Sequence, residues 1–585
     1  MSQDDRRPLG RVAAPPEHES TSAVFYFWVY KGCAVERTQI VTTKSNVGGK
    51  DVSFVGIVQE VYRRSRQKDV AEEASRYDGC RTDEKPPFDS EGVTYAEVSI
   101  LRTTPVAHTP PVEECEVFLG NEADAKQGYG IDRMKYPLPV GLLKNGGSEF
   151  AGKAVIDLAF LLGENGGHLN VNGIAGLGTK STLLLTINWL LLREVERQLR
   201  ERPSGSKRLQ VVPVIFNVKN FDLFFIDRWN TEYRRNESEH RADWAKMGVP
   251  DPKPFDAPTF YAPQAKGLTT PVNTGGRTSG VKPYSWSLTD IIQCGLFEYL
   301  FSEDDIFDAN FGGLVGEVAE WLTFEGPGGP VLSKTAPQTF EALVQRFKEG
   351  DEADHGLKSD AHPGTRRKFL RRLKYIVNDG EGVLRKTGTG NPLVIPELGQ
   401  SAPIVIDLCG IQDTPTLQRF VVAAVFHQIQ QTQRAKQTPN LKYLITLDEL
   451  NRFAPKDSSD PITQKLETVA SEGRSQGIIL FGAQQQASLV KPRVIENAAV
   501  RAIGRSGTLE LGAEVWKFLG LSARSAASQL QPDEKLLYMP SFREPMLAKI
   551  PFPPFALSEN DVDHSAPSPI GSYVPAVAPP DQDIF

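Results

Sequence analysis

Residues 170–185, NVNGIAGLGTKSTLLL, constrain this chain more than any other stretch. A short apolar strand, HLNVNG, runs into a glycine-rich loop, and a long helix-forming segment, KSTLLLTINWLLLREVERQL, leaves it. The next apolar run, LQVVPVIFNVK, has the texture of a fully buried strand. Strand, loop, helix and strand in that order predict a parallel α/β core. The loop approaches the pattern G-x-x-x-x-G-K-[ST]. Gly173, Gly176 and Gly178 keep the pattern's spacing, but Thr179 separates the last glycine from Lys180 and Ser181. Glycines let backbone N–H groups turn toward a phosphate, and the helix behind presents its positive end to the anion. Lys180 would then reach the β/γ-phosphates of a nucleotide, and Ser181 would ligate Mg2+. A plain strand–turn–helix with a glycine-rich turn fits the same spacing.

A second segment favours the nucleotide reading. KYLITLDEL is an apolar strand ending in the paired carboxylates Asp448 and Glu449. Carboxylates at the carboxyl end of a parallel strand sit where ligands bind in open α/β sheets. Asp448 is suited to hold Mg2+ and Glu449 to polarise an attacking water. A third apolar strand, GIILFGAQQQAS, ends in Gln484, Gln485 and Gln486, one of which could sense the terminal phosphate or position water. Arg474, Arg501 and Arg505 follow in EGRSQG and ENAAVRAIGRSG. An arginine forks onto phosphate oxygens; a surface ion pair is the plain alternative for each.

Composition narrows the function classes. The 585 residues leave room for two or three domains, and 66 basic against 73 acidic residues give a net charge of −7. Such a chain is no general nucleic-acid coat, so any DNA contact must come from local basic patches. The five scattered cysteines form no C-x-x-C pair, which argues against a metal or disulfide framework and fits a reducing cytoplasm. The N-terminus has no apolar signal region, and LLLTINWLLL is too short to span a bilayer, so it reads as a buried helix.

The chain divides into six parts. Residues 1–22 read as a disordered tail. Residues 23–135 read as a small β-barrel, from KDVSFVGIVQEVYRR, VTYAEVSILRTTP and ECEVFLG. The core occupies 136–220 and resumes at 396–545, with a mostly helical insertion at 221–395. Residues 546–585 form a Pro-rich C-terminal extension. The basic run TRRKFLRRLK within the insertion reads as a solvated helix face rather than a DNA patch.

Together GIAGLGTKS, VIFNVKNFDLFFID, APIVIDLCGI, LITLDELNRFAPK, SEGRSQGIILFGAQQQASLV and NAAVRAIGRSG resemble the HerA branch of the HerA–FtsK superfamily of hexameric DNA-pumping ATPases. DELNRFAP and the glutamine loop are the most specific of these. The resemblance covers most of residues 36–550. It implies a RecA-like P-loop ATPase core behind an N-terminal HAS-barrel-like domain, interrupted by a mainly helical insertion. It implies ATP and Mg2+ as cofactors, held by Gly173, Gly176, Gly178, Thr179, Lys180, Ser181 and Thr182, with Ser181 and Asp448 on the metal. It implies catalysis by Glu449, Asp448 and Gln485, and a finger from the neighbouring subunit, Arg474 or, second, Arg501. The implied assembly is a cytoplasmic homo-hexamer with duplex DNA in its pore, a helicase-like translocase. A partner nuclease or other effector would dock on the barrel. The extra Thr179 resembles loops of ATPases encoded beside anti-phage effectors, and Ala487 stands where the family often has Pro. A nucleotide-gated ring scaffold that pumps little is the alternative. A secretion or conjugation ATPase would need membrane recruitment.

Overall fold

A computed structural model describes residues 6–16, 18–65, 92–164, 166–174, 179–201, 209–277, 279–326, 329–349, 360–380, 382–436, 440–458 and 460–565. The first domain is a closed six-stranded barrel in the order β1-β2-β5-β4-β3-β6. Its strands are β1 (Pro8–Val12), β2 (Val24–Val29), β3 (Ile40–Val47), β4 (Lys50–Ser65), β5 (Gly92–Thr104) and β6 (Glu116–Leu119). β1 corrects the reading of residues 1–22 as a disordered tail. PLGRV pairs with both β2 and β6, and Val12 is 1% exposed in the barrel core. Pro8 starts the strand, where a missing N–H costs no ladder bond. The charged residues around this short strand hid it. The segment SRQKDVAEEASRYDGCRTDEKPPFDSEG, read as a surface loop, lies mostly outside the described residues.

The second domain is built on a 12-stranded sheet in the order β12-β11-β15-β10-β16-β17-β9-β18-β19-β20-β7-β8. These are β7 (Pro137–Lys144), β8 (Phe150–Asp157), β9 (Leu169–Asn172), β10 (Gln210–Asn217), β11 (Thr259–Pro263), β12 (Val281–Tyr284), β15 (Ile404–Asp407), β16 (Leu441–Asp448), β17 (Ile478–Gln484), β18 (Val500–Ile503), β19 (Glu534–Tyr538) and β20 (Met546–Lys549). A separate hairpin pairs β13 (Thr323–Gly326) with β14 (Gly329–Leu332). From β12 to β18 every pairing is parallel; from β18 to β8 every pairing is antiparallel. The architecture is thus a β-barrel ahead of a RecA-like α/β core with helical insertions.

Apolar residues fill both faces of the parallel strands, because successive side chains point to opposite sides. Val212, Val214 and Phe216 join one hydrophobic cluster with the helices Pro415–Lys436 and Pro461–Glu472. Val211 and Ile215 join the other, with the helix Thr179–Glu201. LLLTINWLLL lies in that last helix with its polar residues Thr186 and Asn188 buried; the Asn188 amide nitrogen is satisfied, while Thr186 Oγ1 and Asn188 Oδ1 have no hydrogen-bond partner among the described residues. Asn188 donates to the Leu184 carbonyl (2.8 Å) and to Thr446 Oγ1 (3.0 Å). Among the described residues no helix is long and apolar enough to cross a membrane.

Two further readings change. The insertion at 221–395 is helical in large part, but β11 and β12 extend the parallel sheet beyond β15. TFYAP and VKPY are too short to signal strands alone, and they form here against the ready-made edge of Ile404–Asp407. The C-terminal extension begins inside the fold. Met546–Lys549 pairs with both β19 and β7, and the chain beyond it packs across the domain. Trp244 Nε1 donates to the Phe552 carbonyl (2.7 Å), and Asn230 N to that of Pro554 (2.9 Å). Residues 566–585 lie outside the described residues.

Barrel and core share an interface. Ile40, Val55, Ile57 and Leu101 of the barrel belong to the same apolar cluster as Leu138, Val140 and Leu142. Arg37 donates to the Ser522 carbonyl (3.5 Å), and Ser522 Oγ to that of Gln59 (3.3 Å). Ser522 lies in the helix Leu521–Gln529.

Candidate nucleotide site

The carboxyl ends of β9, β17, β16 and β10 open onto one crevice. β17 stands between β9, which enters the glycine loop, and β16, which carries the acid pair. The two halves of the site are therefore bridged by a strand ending in glutamines. Gly482 in β17 permits the close approach. A Cβ there would lie 2.7 Å from Leu450 Cδ2, so a larger residue would push away the turn that follows Glu449.

Ser181 sits in the first turn of Thr179–Glu201, and its Oγ donates to Asp448 Oδ2 at 2.5 Å. Lys180, one residue earlier, is 8% exposed. Burial pushes its ammonium below the ordinary lysine range, while Asp448 and Glu449 pull it back up. An ammonium held among carboxylates in a crevice is ready to exchange one anionic neighbour for another, such as phosphate. Thr179 is the first residue of the helix; Gly176 and Gly178 lie outside the described residues. Gly173 abuts the Gly504–Arg505 backbone, and Ile174 N donates to the Arg505 carbonyl (2.8 Å). Thr182 follows in the same helix.

Glu449 leaves β16 with φ 71° and ψ 50°. That left-handed conformation is uncommon for a residue with a side chain. Its N–H donates to Asp448 Oδ1 (3.1 Å), and its Oε1 accepts from Gln485 Nε2 (3.2 Å) and from Lys219 Nζ. Burial alone would raise this carboxyl, but the Lys219 bond and charge, with Gln485 and Lys180, hold it below the usual range. Of the three glutamines, only Gln485 reaches Glu449 in this way. Gln484 is fully buried between β17 and β9 on Asn170 and Asn172, and Gln486 faces outward.

The oxygens of Ser181 and Asp448 fit Mg2+. This hard ion takes one or two protein oxygens and completes its octahedron with water and phosphate. Among the described residues no cluster of three or more His, Cys, Asp or Glu could cage a metal. A metal site built only from protein side chains is not what these residues form.

No protein-family model and no curated protein matches the sequence. Solved structures do match. VirB4 of Thermoanaerobacter pseudethanolicus aligns over 72% of this chain and 97% of its own, at 14% identity and a TM-score of 0.42. The plasmid coupling protein TrwB, in complex with ADP and Mg2+, aligns over 76% and 95%, at 11% identity and a TM-score of 0.43. The genome packaging NTPase B204 from Sulfolobus turreted icosahedral virus 2 aligns over 26% and 69%, at 13% identity and a TM-score of 0.20. At such identities and scores nothing passes from those proteins to individual residues of this chain.

The two candidate finger arginines are not brought to this crevice within the chain. Arg474 is exposed in the turn before β17, at the opposite end of that strand from Gln485, with its stem over Gly163 and Gly167. Arg501 in β18 donates to the carbonyls of Glu496 (3.0 Å) and Ala498 (3.3 Å), and its guanidinium lies 4.5 Å from the Phe518 ring centre. Arg505 is exposed beside the start of the glycine loop.

One residue at the site was not anticipated. Lys219 follows β10, and its pairing with Glu449 depends on β10 lying beside β16. Its turn is held by Asn217, whose Nδ2 donates to the Asn220 carbonyl (2.7 Å) and to Asp407 Oδ1 (2.8 Å). The only trace in the sequence is a lysine directly after a buried strand.

Proposed function

We propose that this chain hydrolyses ATP and uses the energy to move duplex DNA as a ring motor, with an effector enzyme docked on its barrel. The carrying observation is the meeting of Ser181, Lys180, Asp448, Glu449 and Gln485 at one crevice, from three separated segments of sequence. Lys180 opposes the charge of the β/γ-phosphates. Glu449 takes a proton from the water that attacks the terminal phosphorus, as the bond to the ADP oxygen breaks. The Gln485 amide holds the Glu449 carboxylate in place. Ser181 and Asp448 would hold Mg2+, which when bound neutralises charge on the phosphoryl oxygens.

DNA pumping, a hexameric ring, an effector partner and a role in anti-phage defence draw on the motifs that resemble the HerA branch. In this reading the arginine completing each site comes from the neighbouring subunit; the chain's own Arg474 and Arg501 lie away from its crevice, and Arg505 is exposed beside the start of the glycine loop. The deciding experiment measures ATP turnover by the full chain with and without duplex DNA, together with particle mass. DNA-stimulated turnover that Glu449→Gln abolishes supports a motor. Nucleotide binding with turnover indifferent to DNA supports the gated scaffold, which the additional Thr179 at the helix start favours.

A further inference from the structure

Glu510 is a buried carboxylate that the ATPase reading leaves without a task. It is 8% exposed and stands in the short helix Thr508–Leu511, which follows β18. Three neutral donors hold it, and both of its oxygens are engaged. Oε1 accepts from Ser488 N (3.1 Å) and Trp516 Nε1 (2.9 Å), and Oε2 accepts from Ser488 Oγ (2.5 Å). Burying a carboxylate is costly, and hydrogen bonds to its charge offset that cost only while their geometry is kept. Trp516 steadies the carboxylate from the core side, within the apolar cluster that also takes in Leu511 and Ala487. Ser488 lies three residues beyond Gln485, in the turn Ala487–Leu489.

The segment behind Gln485 is thus gripped from two sides. On one, Lys456 N donates to the Leu489 carbonyl (2.9 Å) and Lys491 N to that of Ala454 (3.0 Å), which ties it to the turn after Glu449. On the other, Glu510 ties it to the chain leaving β18, where Gly504 and Arg505 lie against Gly173. Gln485 reaches Glu449 from the first position past β17, so its amide is aimed by the backbone that follows it. We propose that Glu510 is a positioning residue: by gripping Ser488 at both its N–H and its hydroxyl, it sets the path of the chain behind Gln485 and keeps that amide on Glu449. This rests on the ATPase reading above and names a further residue on which its site depends. Glu510 acts through Gln485, not on the nucleotide.

The test measures kcat, KM for ATP and melting temperature of the full chain as wild type, Glu510→Ala, Glu510→Gln, Ser488→Ala and Gln485→Ala, and with Glu510→Ala or Ser488→Ala combined with Gln485→Ala. Glu510→Ala should lower kcat about ten-fold with KM within about two-fold. Glu510→Gln should keep kcat within about two-fold of wild type, since its amide oxygen accepts what Oε1 accepts and its NH2 donates to Ser488 Oγ. Once Gln485→Ala is present, Glu510→Ala should lower kcat by no more than about two-fold further, because residues that act as a unit are not additive. A purely structural loss would lower kcat by the same factor in both backgrounds. Ser488→Ala keeps its N–H bond and decides the matter where Glu510→Ala does not fold; it should lower kcat about three-fold alone and not at all beside Gln485→Ala. Unchanged kcat in the folded variants, or losses that multiply in the double variants, overturns the positioning role and leaves the ATPase reading intact. No turnover sensitive to Glu449→Gln overturns both.

Discussion

Asn170 and Gln484 exchange two side-chain hydrogen bonds in the buried space between β9 and β17. Asn170 Nδ2 donates to Gln484 Oε1 (3.0 Å), and Gln484 Nε2 donates back to Asn170 Oδ1 (2.8 Å). The pair fixes the end of the loop-bearing strand against the strand that delivers Gln485. Two neighbouring glutamines thus have separable roles. Gln484→Ala leaves buried polar atoms of Asn170 without partners and should cost about 2–4 kcal/mol of stability. Gln485→Ala should barely move the melting temperature while lowering kcat about ten- to hundred-fold. Equal melting temperatures for the two variants would contradict this division.

Lys180→Ala should weaken ATP binding by about ten- to hundred-fold or more, the worth of a charge-assisted contact with phosphate. Titration calorimetry reads it directly. Unaltered affinity would remove Lys180 from the phosphate site, and with it the assignment of the glycine loop.

Asp407, at the carboxyl end of β15, gives a pH signature in stability. Burial pushes its carboxyl up to about 6, against the opposing hydrogen bonds from Asn217, Gly410 and Cys409. In the unfolded chain it titrates near its ordinary value of about 3.9. The folded state therefore holds this proton more tightly. Its contribution to stability is fully present below about pH 4 and is lost as pH rises past about 6. Asp407→Asn cannot titrate, so wild type and variant should diverge in pH dependence by on the order of 1–3 kcal/mol between pH 5 and 7.5. Parallel melting curves across that range would refute it.

Arg474→Ala should preserve ATP binding and lower turnover by about 10³-fold or more if it acts as a finger. Rings mixed from Arg474→Ala and Glu449→Gln chains should regain activity at interfaces where both residues are intact. Mixed rings without recovery would argue against Arg474 acting across the interface. Arg501→Ala should instead lower the melting temperature. Its guanidinium already binds two carbonyls and covers Phe518.

The parts legible in the sequence were those with local signatures. The strands around HLNVNG, KYLITLDEL and GIILFGAQQ announce themselves by continuous apolar runs, and β4, β5 and β6 by β-branched residues between turn formers. β1, β11, β12 and β20 carry no such signature. Each is a four- or five-residue segment that becomes a strand because a neighbouring edge offers it hydrogen bonds. The acid pair and the phosphate-loop lysine were readable at the strand and helix ends. Lys219 was not, since its partner is 230 positions away and is set by strand order. Which of three consecutive glutamines serves Glu449 follows from the pleat: Gln484 points into the sheet, so Gln485 reaches the carboxylate.

The helix Leu521–Gln529 touches the barrel at one end and the glycine loop's entrance at the other. Ser522 bonds to the Gln59 carbonyl, while Ala527 accepts from Ser506 N (3.1 Å) and Ser506 Oγ accepts from Asn172 (3.0 Å). Mechanically these parts stand in series, like a pushrod between two castings. A displacement of the barrel would pass along this chain of bonds to Asn172, one residue before Gly173. A load placed on the barrel would reach the start of the glycine loop without ever approaching it.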